Sequence, residues 1–357
     1  MRVVIVGAGP AGLISALYLI QEGIRPLILE KQSEIRSTAC GEACSLKSLN
    51  KIPFDSNPYI CKYVKGAKFI YTNGACSYMN KSSATLDRTN WLKGIAQEVE
   101  SRGGQIKLDI EVVAVGENSI QLKNGDRIGY EILIGADGPN SRIAKHLGVE
   151  KQFIVASQYK LAFDDSGMDF LEFYIDRRFS PDYSWIFPKD GIINVGTGGD
   201  FTALDAFLEH KGLDSCKILD KEAGVIPVSG IQKLVQHNIA LIGDSASMVN
   251  LFSGAGLTPI IYAAQMLVRN ISNLENYERE VKRHPIANPV FFKARHALLA
   301  LADKDLVNLL RLITEPSIGK VKTPFAVRII KCISLVTKLR SLISTYRAIR
   351  IAKTYGW

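Results

Sequence analysis

Gly7-Ala8-Gly9-Pro10-Ala11-Gly12, followed by Glu30, is the set of residues in this chain with the most definite chemistry. Each glycine has its own task. Gly7 permits a tight strand-to-helix turn, Gly9 lets the backbone approach a pyrophosphate, and Gly12 lets the helix pack closely on its sheet. The phosphates then meet unpaired amides at the positive end of a helix. The Glu30 carboxylate can accept hydrogen bonds from both hydroxyls of an adenosine ribose, with Lys31 beside it. Two further acids stand beside glycine, in Gly135-Ala136-Asp137-Gly138 and in Gly243-Asp244, and Gly254-Ala255-Gly256-Leu257 opens another helical pattern.

These groups are useful only if regular elements present them. Residues 2–6 are a β-branched run that reads as a buried parallel strand, and residues 13–22 form an apolar helical pattern. Residues 26–29 give a second strand ending at Glu30. A lone GxGxxG is weak; one set between strand and helix, with an acid closing the next strand, is strong. Residues 130–134 and 238–242 are further buried strands, each running into a glycine–acid pair.

Between these motifs the chain changes character. Residues 38–45 gather small side chains around Cys40, and such a segment can lie flat against a planar ligand or form a surface loop. Residues 69–79 and 83–86 read as strands, and Thr89 or Asn90 as the cap of a helix over 91–101. Arg88, just ahead of it, is placed for a phosphate or a surface ion pair. Asn124-Gly125-Asp126 marks a hairpin. Residues 153–156, 159–163, 169–175, 183–187 and 192–197 read as an antiparallel sheet. Alternation sets Tyr183, Trp185 and Phe187 on one face, as a ligand wall or a core face. Residues 274–283 are helical, and so is the chain beyond Pro285, with breaks at Pro316 and Pro324.

Composition sets limits. At 357 residues, with 47% hydrophobic and 22% charged side chains, two folded lobes are expected rather than disorder. The first motif starts so early that no cleavable signal peptide is expected, and no stretch reads as a transmembrane span. Six cysteines lack paired spacing, which argues against a zinc site or a disulfide framework. The net charge of +9 belongs to residues 321–357, which hold eight Lys or Arg and no acid. That tail lacks the interleaved aromatics of a nucleic-acid binder.

The ordered set GAGPAG with Glu30, then GADG at Asp137, then Gly243-Asp244 resembles the FAD-dependent glutathione-reductase-like fold of aromatic hydroxylases, flavin halogenases and isoprenoid reductases. Two more stretches are similar to the geranylgeranyl reductase family within it: Cys40-Gly41-Glu42, followed by Ala43, and Tyr183-x-Trp185-x-Phe187-Pro188, which matches its YxWxFP motif. The chain departs from the family's usual pattern at Cys44, Ser245, Ser247 and Leu251. The resemblance spans residues 1 to about 283 and implies an α/β architecture, with a Rossmann-type FAD-binding domain from residues 1–150 and 236–283 and an antiparallel-sheet substrate domain over 151–235; the helical, basic pattern beyond it reads as a C-terminal helical region over 284–357. It implies that Asp244 bonds the ribityl chain of FAD, that Asp137 and Gly138 lie near the flavin, and that Gly254, Ala255, Gly256 and Leu257 set a helix N-terminus at the flavin N1 and C2 carbonyl.

The activity it implies is saturation of carbon–carbon double bonds in geranylgeranyl or other polyprenyl chains of membrane lipids. Reduced flavin gives a hydride to one alkene carbon and a proton reaches the other. Tyr183, Trp185, Phe187 and Pro188 would line a dry substrate cavity. Cys40 would face the flavin near the reacting carbons, as proton donor or as part of the pocket's shape. The expected partners are a polyprenyl lipid and an external electron donor, in the cytoplasm, with peripheral contact to an anionic membrane surface through the tail. The rivals are an FAD monooxygenase or halogenase on the same fold, and a non-catalytic prenyl carrier.

Overall fold

The computed structural model describes residues 1–251, 253–313 and 339–355. The chain begins with the strand Val3–Val6, buried on both faces, as its unbroken β-branched run requires. It lies inside a six-stranded sheet, parallel to Leu27–Leu29 on one side and to Ile132–Gly135 on the other. Gln105–Lys107 extends the sheet past Leu27–Leu29, and Ile239–Leu241 extends it past Ile132–Gly135. Val235–Gln236 closes that edge antiparallel. The helix Pro10–Gln21 starts on a proline whose missing N–H is no loss at that position. It fully buries Leu13, Ile14 and Leu17, each worth about 1.5–3 kcal/mol on removal from water. The helices Arg88–Ser101 and Leu257–Arg269 pack against it.

A mixed sheet of eight strands stands beside this layer. Its order is Ile218–Pro227, Phe153–Ala162, Ile192–Thr197, Ser184–Pro188, Leu171–Ile175, Ile60–Tyr71, Cys76–Leu86 and Ala43–Ser45. The sheet expected from residues 151–235 therefore recruits three strands from residues 43–86. Where the two sets join, Leu171–Ile175 runs parallel to Ile60–Tyr71; the sheet's other pairings are antiparallel. The architecture is α/β, with a nucleotide half built on the six-stranded sheet, a half built on the eight-stranded sheet and a helical C-terminal region.

Local readings differ in instructive places. Phe153–Ala162 forms one strand rather than two pieces. The helix at 91–101 begins three residues earlier because Asp87, not Thr89 or Asn90, supplies the cap, accepting from the Asn90 amide at 3.1 Å. The helix Phe201–Lys211, capped by Asp200 and ended by the left-handed Gly212, has a short apolar pattern that the aromatic strands around it obscured. The hairpin at Asn124-Gly125 is present, with Gly125 at φ +93°. Among the described residues, three C-terminal helices follow Pro289: Val290–Leu299, Asp303–Ile313 and Leu339–Tyr355. The expected breaks at Pro316 and Pro324 lie outside the described residues.

Candidate functional site

The glycine turn does what its spacing requires. Gly7 adopts φ +104°, and a Cβ there would sit 2.3 Å from the Ala136 carbonyl oxygen, so the first motif rests directly on the second. A Cβ on Gly12 would lie 2.0 Å from the Gly7 oxygen; this glycine sits beneath the turn and serves packing alone. Gly9 opposes nothing within 4 Å and caps the helix Pro10–Gln21 without a side chain, which leaves its first amides available. Glu30 is fixed at its strand end: Oε2 accepts from the Ala8 amide at 2.7 Å and Oε1 from the Gln32 amide at 3.0 Å. Lys31 is exposed beside it. Gly7, Gly9, Pro10, Ala11, Glu30 and Lys31 all border one cavity of about 1530 Å³.

The other two acids reach the same cavity in different ways. Asp137 has spent its carboxylate on the helix Arg142–His146, accepting from Ser141 Oγ at 2.5 Å and from the Arg142 and Ile143 amides at 2.7 and 3.3 Å. Burial raises its pKa and those bonds oppose the shift. Asp137 and Gly138 thus border the cavity with the carboxylate turned into the protein. Asp244 is the opposite case. Burial pushes its pKa up to about 6, against the pull of Lys151, and no protein donor to its carboxylate is present among the described residues. Gly243, at φ +73°, stays behind the cavity wall, where a Cβ would meet Ala11 at 2.7 Å. Lys151, which sequence reasoning missed, donates to the carbonyls of Pro139 at 3.0 Å and Asp244 at 3.1 Å and so clamps the two motifs together. A single lysine in a loop carries no sequence signal for that task. Gly254, Ala255, Gly256 and Leu257 border the cavity ahead of the helix Leu257–Arg269.

Cys40, Gly41, Glu42 and Ala43 cross between these halves. Gly41 faces the aromatic strand so closely that a Cβ would lie 2.8 Å from Phe187 Cε2. The Glu42 amide donates to Cys40 Sγ at 3.3 Å. Glu42 holds φ 60°, unusual for a side chain of its size, and is buried. Its carboxylate pairs with Lys189 and, at 3.7 Å, with Lys160, and accepts from Asn194 Nδ2 at 3.0 Å, which anchors the loop at the cavity's edge. Gln158 adds a second anchor that sequence did not mark: its Nε2 donates to the Cys40 carbonyl at 3.0 Å and its Oε1 accepts from Trp185 Nε1 at 3.1 Å. Arg88 is buried and stacks over Trp91 at 4.7 Å, and no ion pair to it, its other reading, is present among the described residues.

Tyr183, Trp185 and Phe187 form a continuous wall, with ring centroids 6.0 and 6.3 Å apart. Phe173, opposite Trp185 on the next strand, completes it at 5.3 Å from Tyr183 and 5.1 Å from Phe187. Phe69 stacks on Phe173 at 5.4 Å from the strand beyond. These two were missed because cross-strand register is invisible in one strand's alternation. Pro188 ends the strand outside the cavity and gives its carbonyl to Thr85 Oγ1 at 2.8 Å. Leu298, Leu306, Leu310 and Ile349 from the C-terminal helices close the apolar end. Arg295 holds that roof down through both carboxylate oxygens of Asp182, at 2.8 Å each.

An open approach at Gly9, an unspent carboxylate at Asp244 and a buried Ser253 Oγ without a partner among the described residues fit a dinucleotide with a polyhydroxyl linker. The family model described as "FAD binding domain" matches residues 1–49. FAD is the cofactor. The chain is 28% identical to a digeranylgeranylglycerophospholipid reductase of Methanosarcina acetivorans, over 71% of each chain. It is 27% identical to the reductase of that name from Thermoplasma volcanium, over 88% of this chain and 91% of the relative. Among solved structures, a geranylgeranyl bacteriochlorophyll reductase-like protein from Thermoplasma acidophilum superposes with a TM-score of 0.79 at 24% identity, covering 96% of this chain and 98% of its own. A flavin-dependent halogenase shares the fold at a TM-score of 0.71 and 17% identity. The resemblance to geranylgeranyl reductases and the α/β fold it implied are borne out, and the chain is an FAD-dependent oxidoreductase.

Proposed function

We propose that this protein saturates carbon–carbon double bonds in the geranylgeranyl chains of a prenyl glycerolipid. The observation that carries the reading is the cavity itself: one space runs from the glycine turn past Cys40 to an aromatic wall roofed by leucines. That shape suits a long hydrocarbon. A polar aromatic substrate would want donors and acceptors on the same wall, and Tyr183 has already given its hydroxyl hydrogen to the Ser253 carbonyl at 2.7 Å.

Gly7, Gly9, Pro10 and Ala11 would seat the pyrophosphate on the open helix end, Glu30 would accept from the adenosine ribose, and Asp244 from the ribityl hydroxyls. Arg88 would add a positive charge at the same cavity. When bound and reduced, FAD supplies a hydride. The chain's own residues do the rest. Phe69, Phe173, Tyr183, Trp185 and Phe187 hold the prenyl chain and exclude water. Gln158 and Glu42 hold Cys40 and Gly41 against that wall. We assign Cys40 the proton: its thiol gives H⁺ to the alkene carbon opposite the one that receives hydride, and is reprotonated from solvent before the next turnover. Each turnover consumes two electrons from an external donor.

The test incubates anaerobically reduced holoprotein with geranylgeranyl glycerolipids and weighs the products. Mass gains in steps of two hydrogens are expected. Unchanged lipid, with an oxygen-dependent product from added phenols, would overturn the reading in favour of a monooxygenase.

A further inference from the structure

The strand Ile60–Tyr71 carries three lysines, and each meets an acid. Lys62 pairs with Asp165 at 3.0 Å, Lys65 with Asp169 at 2.5 Å and Lys68 with Glu172 at 2.7 Å. The neighbouring strand Cys76–Leu86 carries one lysine, Lys81, and it differs in every respect. It lies on the cavity wall with Met79 and Ser83, half-buried, and no carboxylate or hydrogen-bond acceptor meets its ammonium among the described residues. Burial pulls its pKa down to about 8, opposed by nearby Cys44 and helped by the charge of Lys47.

A second polar group waits at the same place. Ser45 sits opposite Ser83 on the adjoining strand Ala43–Ser45, borders the same cavity, and is 6% exposed. Its Oγ is buried without a partner among the described residues. Ser83 has turned its own hydroxyl to the Lys81 carbonyl at 2.9 Å, so it does not satisfy Ser45. Gly66 makes this corner possible: at φ +145° it lets the two long strands slip register there, and a Cβ would strike the Met79 oxygen at 2.1 Å and the Lys81 nitrogen at 2.7 Å. An unpaired cation and an orphaned hydroxyl on adjoining strands of one cavity are both costly unless a ligand completes them.

We propose that Lys81 and Ser45 form the seat for the phosphate ester at the head of the lipid whose prenyl chains lie along the aromatic wall. The proposal rests on the reading of the cavity as a prenyl-lipid site. It adds a fixed end. Lys81 lies four residues along its strand from Thr85, the partner of Ala43, which follows Cys40 by three residues, a separation of about 13 Å along the strand. A phosphate held there sets how far the chain extends past Cys40, and therefore which double bonds arrive at it. The head group is anionic and multiply accepting, which matches three ammonium hydrogens and one hydroxyl.

The experiment measures binding to oxidised holoprotein by quenching of tryptophan fluorescence. The probes are a digeranylgeranylglyceryl phosphate, its dephosphorylated alcohol and inorganic phosphate. Wild type is expected to bind the phosphorylated lipid about tenfold or more tighter than the alcohol, the scale of one or two charge-assisted hydrogen bonds. Lys81→Met should abolish that ratio while leaving the alcohol's affinity unchanged, Lys81→Arg should keep most of it, and Ser45→Ala should lower it several-fold. Without lipid, Lys81→Met should melt no lower than wild type, because an unpaired charge has been removed. An unchanged ratio in Lys81→Met, equal losses for both lipids, or inorganic phosphate competing as tightly as the lipid would each overturn the proposal. Mass analysis of reduction is read separately. A preserved charge preference with no reduction sinks the reductase reading alone; reduction with no effect of Lys81→Met sinks the phosphate seat alone.

Discussion

The Tyr183 hydroxyl donates to the Ser253 carbonyl at 2.7 Å, and this bond joins the aromatic wall to the loop that opens the helix Leu257–Arg269. The two segments are far apart in sequence and lie on different halves of the molecule. Burial raises the Tyr183 pKa, so the phenol stays a donor at any working pH. One hydrogen bond thereby sets the spacing between the residues that would hold the flavin and those that would hold the prenyl chain.

Tyr183→Phe keeps the ring packing and removes that bond, taking its donor from a part-buried carbonyl. A loss of about 1–3 kcal/mol is expected. It should appear as weaker FAD retention, followed by flavin fluorescence on dilution, with little change in the protein's far-ultraviolet dichroism. Retention equal to wild type would mean that the 253–256 loop needs no support from the wall.

Asp244 makes a pH-dependent prediction. Its pKa stands at about 6 against an ordinary 3.8. A carboxyl raised on folding stabilises the cofactor-free protein below its unfolded pKa, and that contribution is lost as pH rises through about 6. Hydroxyl donors from a ribityl chain favour the ionised form. FAD affinity should therefore weaken as pH falls below about 6, by up to tenfold per unit, and level off above it. Asp244→Ala should lower affinity at pH 7 by about tenfold or more and flatten the profile. Equilibrium titration of apoprotein with FAD checks both.

How much of this was legible in sequence depended on whether one strand carried the signal. Gly7, Gly9, Gly12 and Glu30 could be placed because turn, helix and acid lie within thirty residues. Tyr183, Trp185 and Phe187 were readable as one face because alternation is local. The partners across space were not. Phe173 and Phe69 join the wall only through the register of three strands, one pair of them parallel, and Lys151 joins Asp244 only through a tertiary contact. Asp137 could be placed at the cavity but not oriented. Its Ser141 and Arg142 partners, four and five residues on, are a capping arrangement that its glycine-flanked motif hid.

Glu42 offers a test of the loop independent of catalysis. Glu42→Ala would leave the Lys189 ammonium buried against Asn194 without its counter-charge, a loss of about 3–5 kcal/mol. Thermal melting should show it clearly. Because the Glu42 amide also steadies Cys40 Sγ at 3.3 Å, alkylation of Cys40, followed by peptide mass mapping, should speed up in the milder Glu42→Gln. Unchanged alkylation with lowered melting would confine Glu42 to stability.

Cys40 separates chemistry from shape. If its thiol delivers the proton, Cys40→Ala should lower kcat by about a hundredfold or more, the usual range for a lost general acid, with KM and FAD affinity near wild type. Cys40→Ser keeps the size and a poorer acid, so it should fall close to Cys40→Ala. A thiol that only fills the corner beside Gly41 and Phe187 predicts another pattern: Cys40→Ser near wild type, Cys40→Ala reduced less than tenfold, and KM moving with it. Single-turnover oxidation of reduced holoprotein by a geranylgeranyl lipid, followed at the flavin absorbance without oxygen, reads the step directly. It also excludes slow product release as the source of the difference. Cys44, four residues on, is the internal control. Its thiol is buried and pushed up to about 12, and it donates to the Ala84 carbonyl at 3.6 Å, so Cys44→Ala should leave the single-turnover rate within about threefold of wild type.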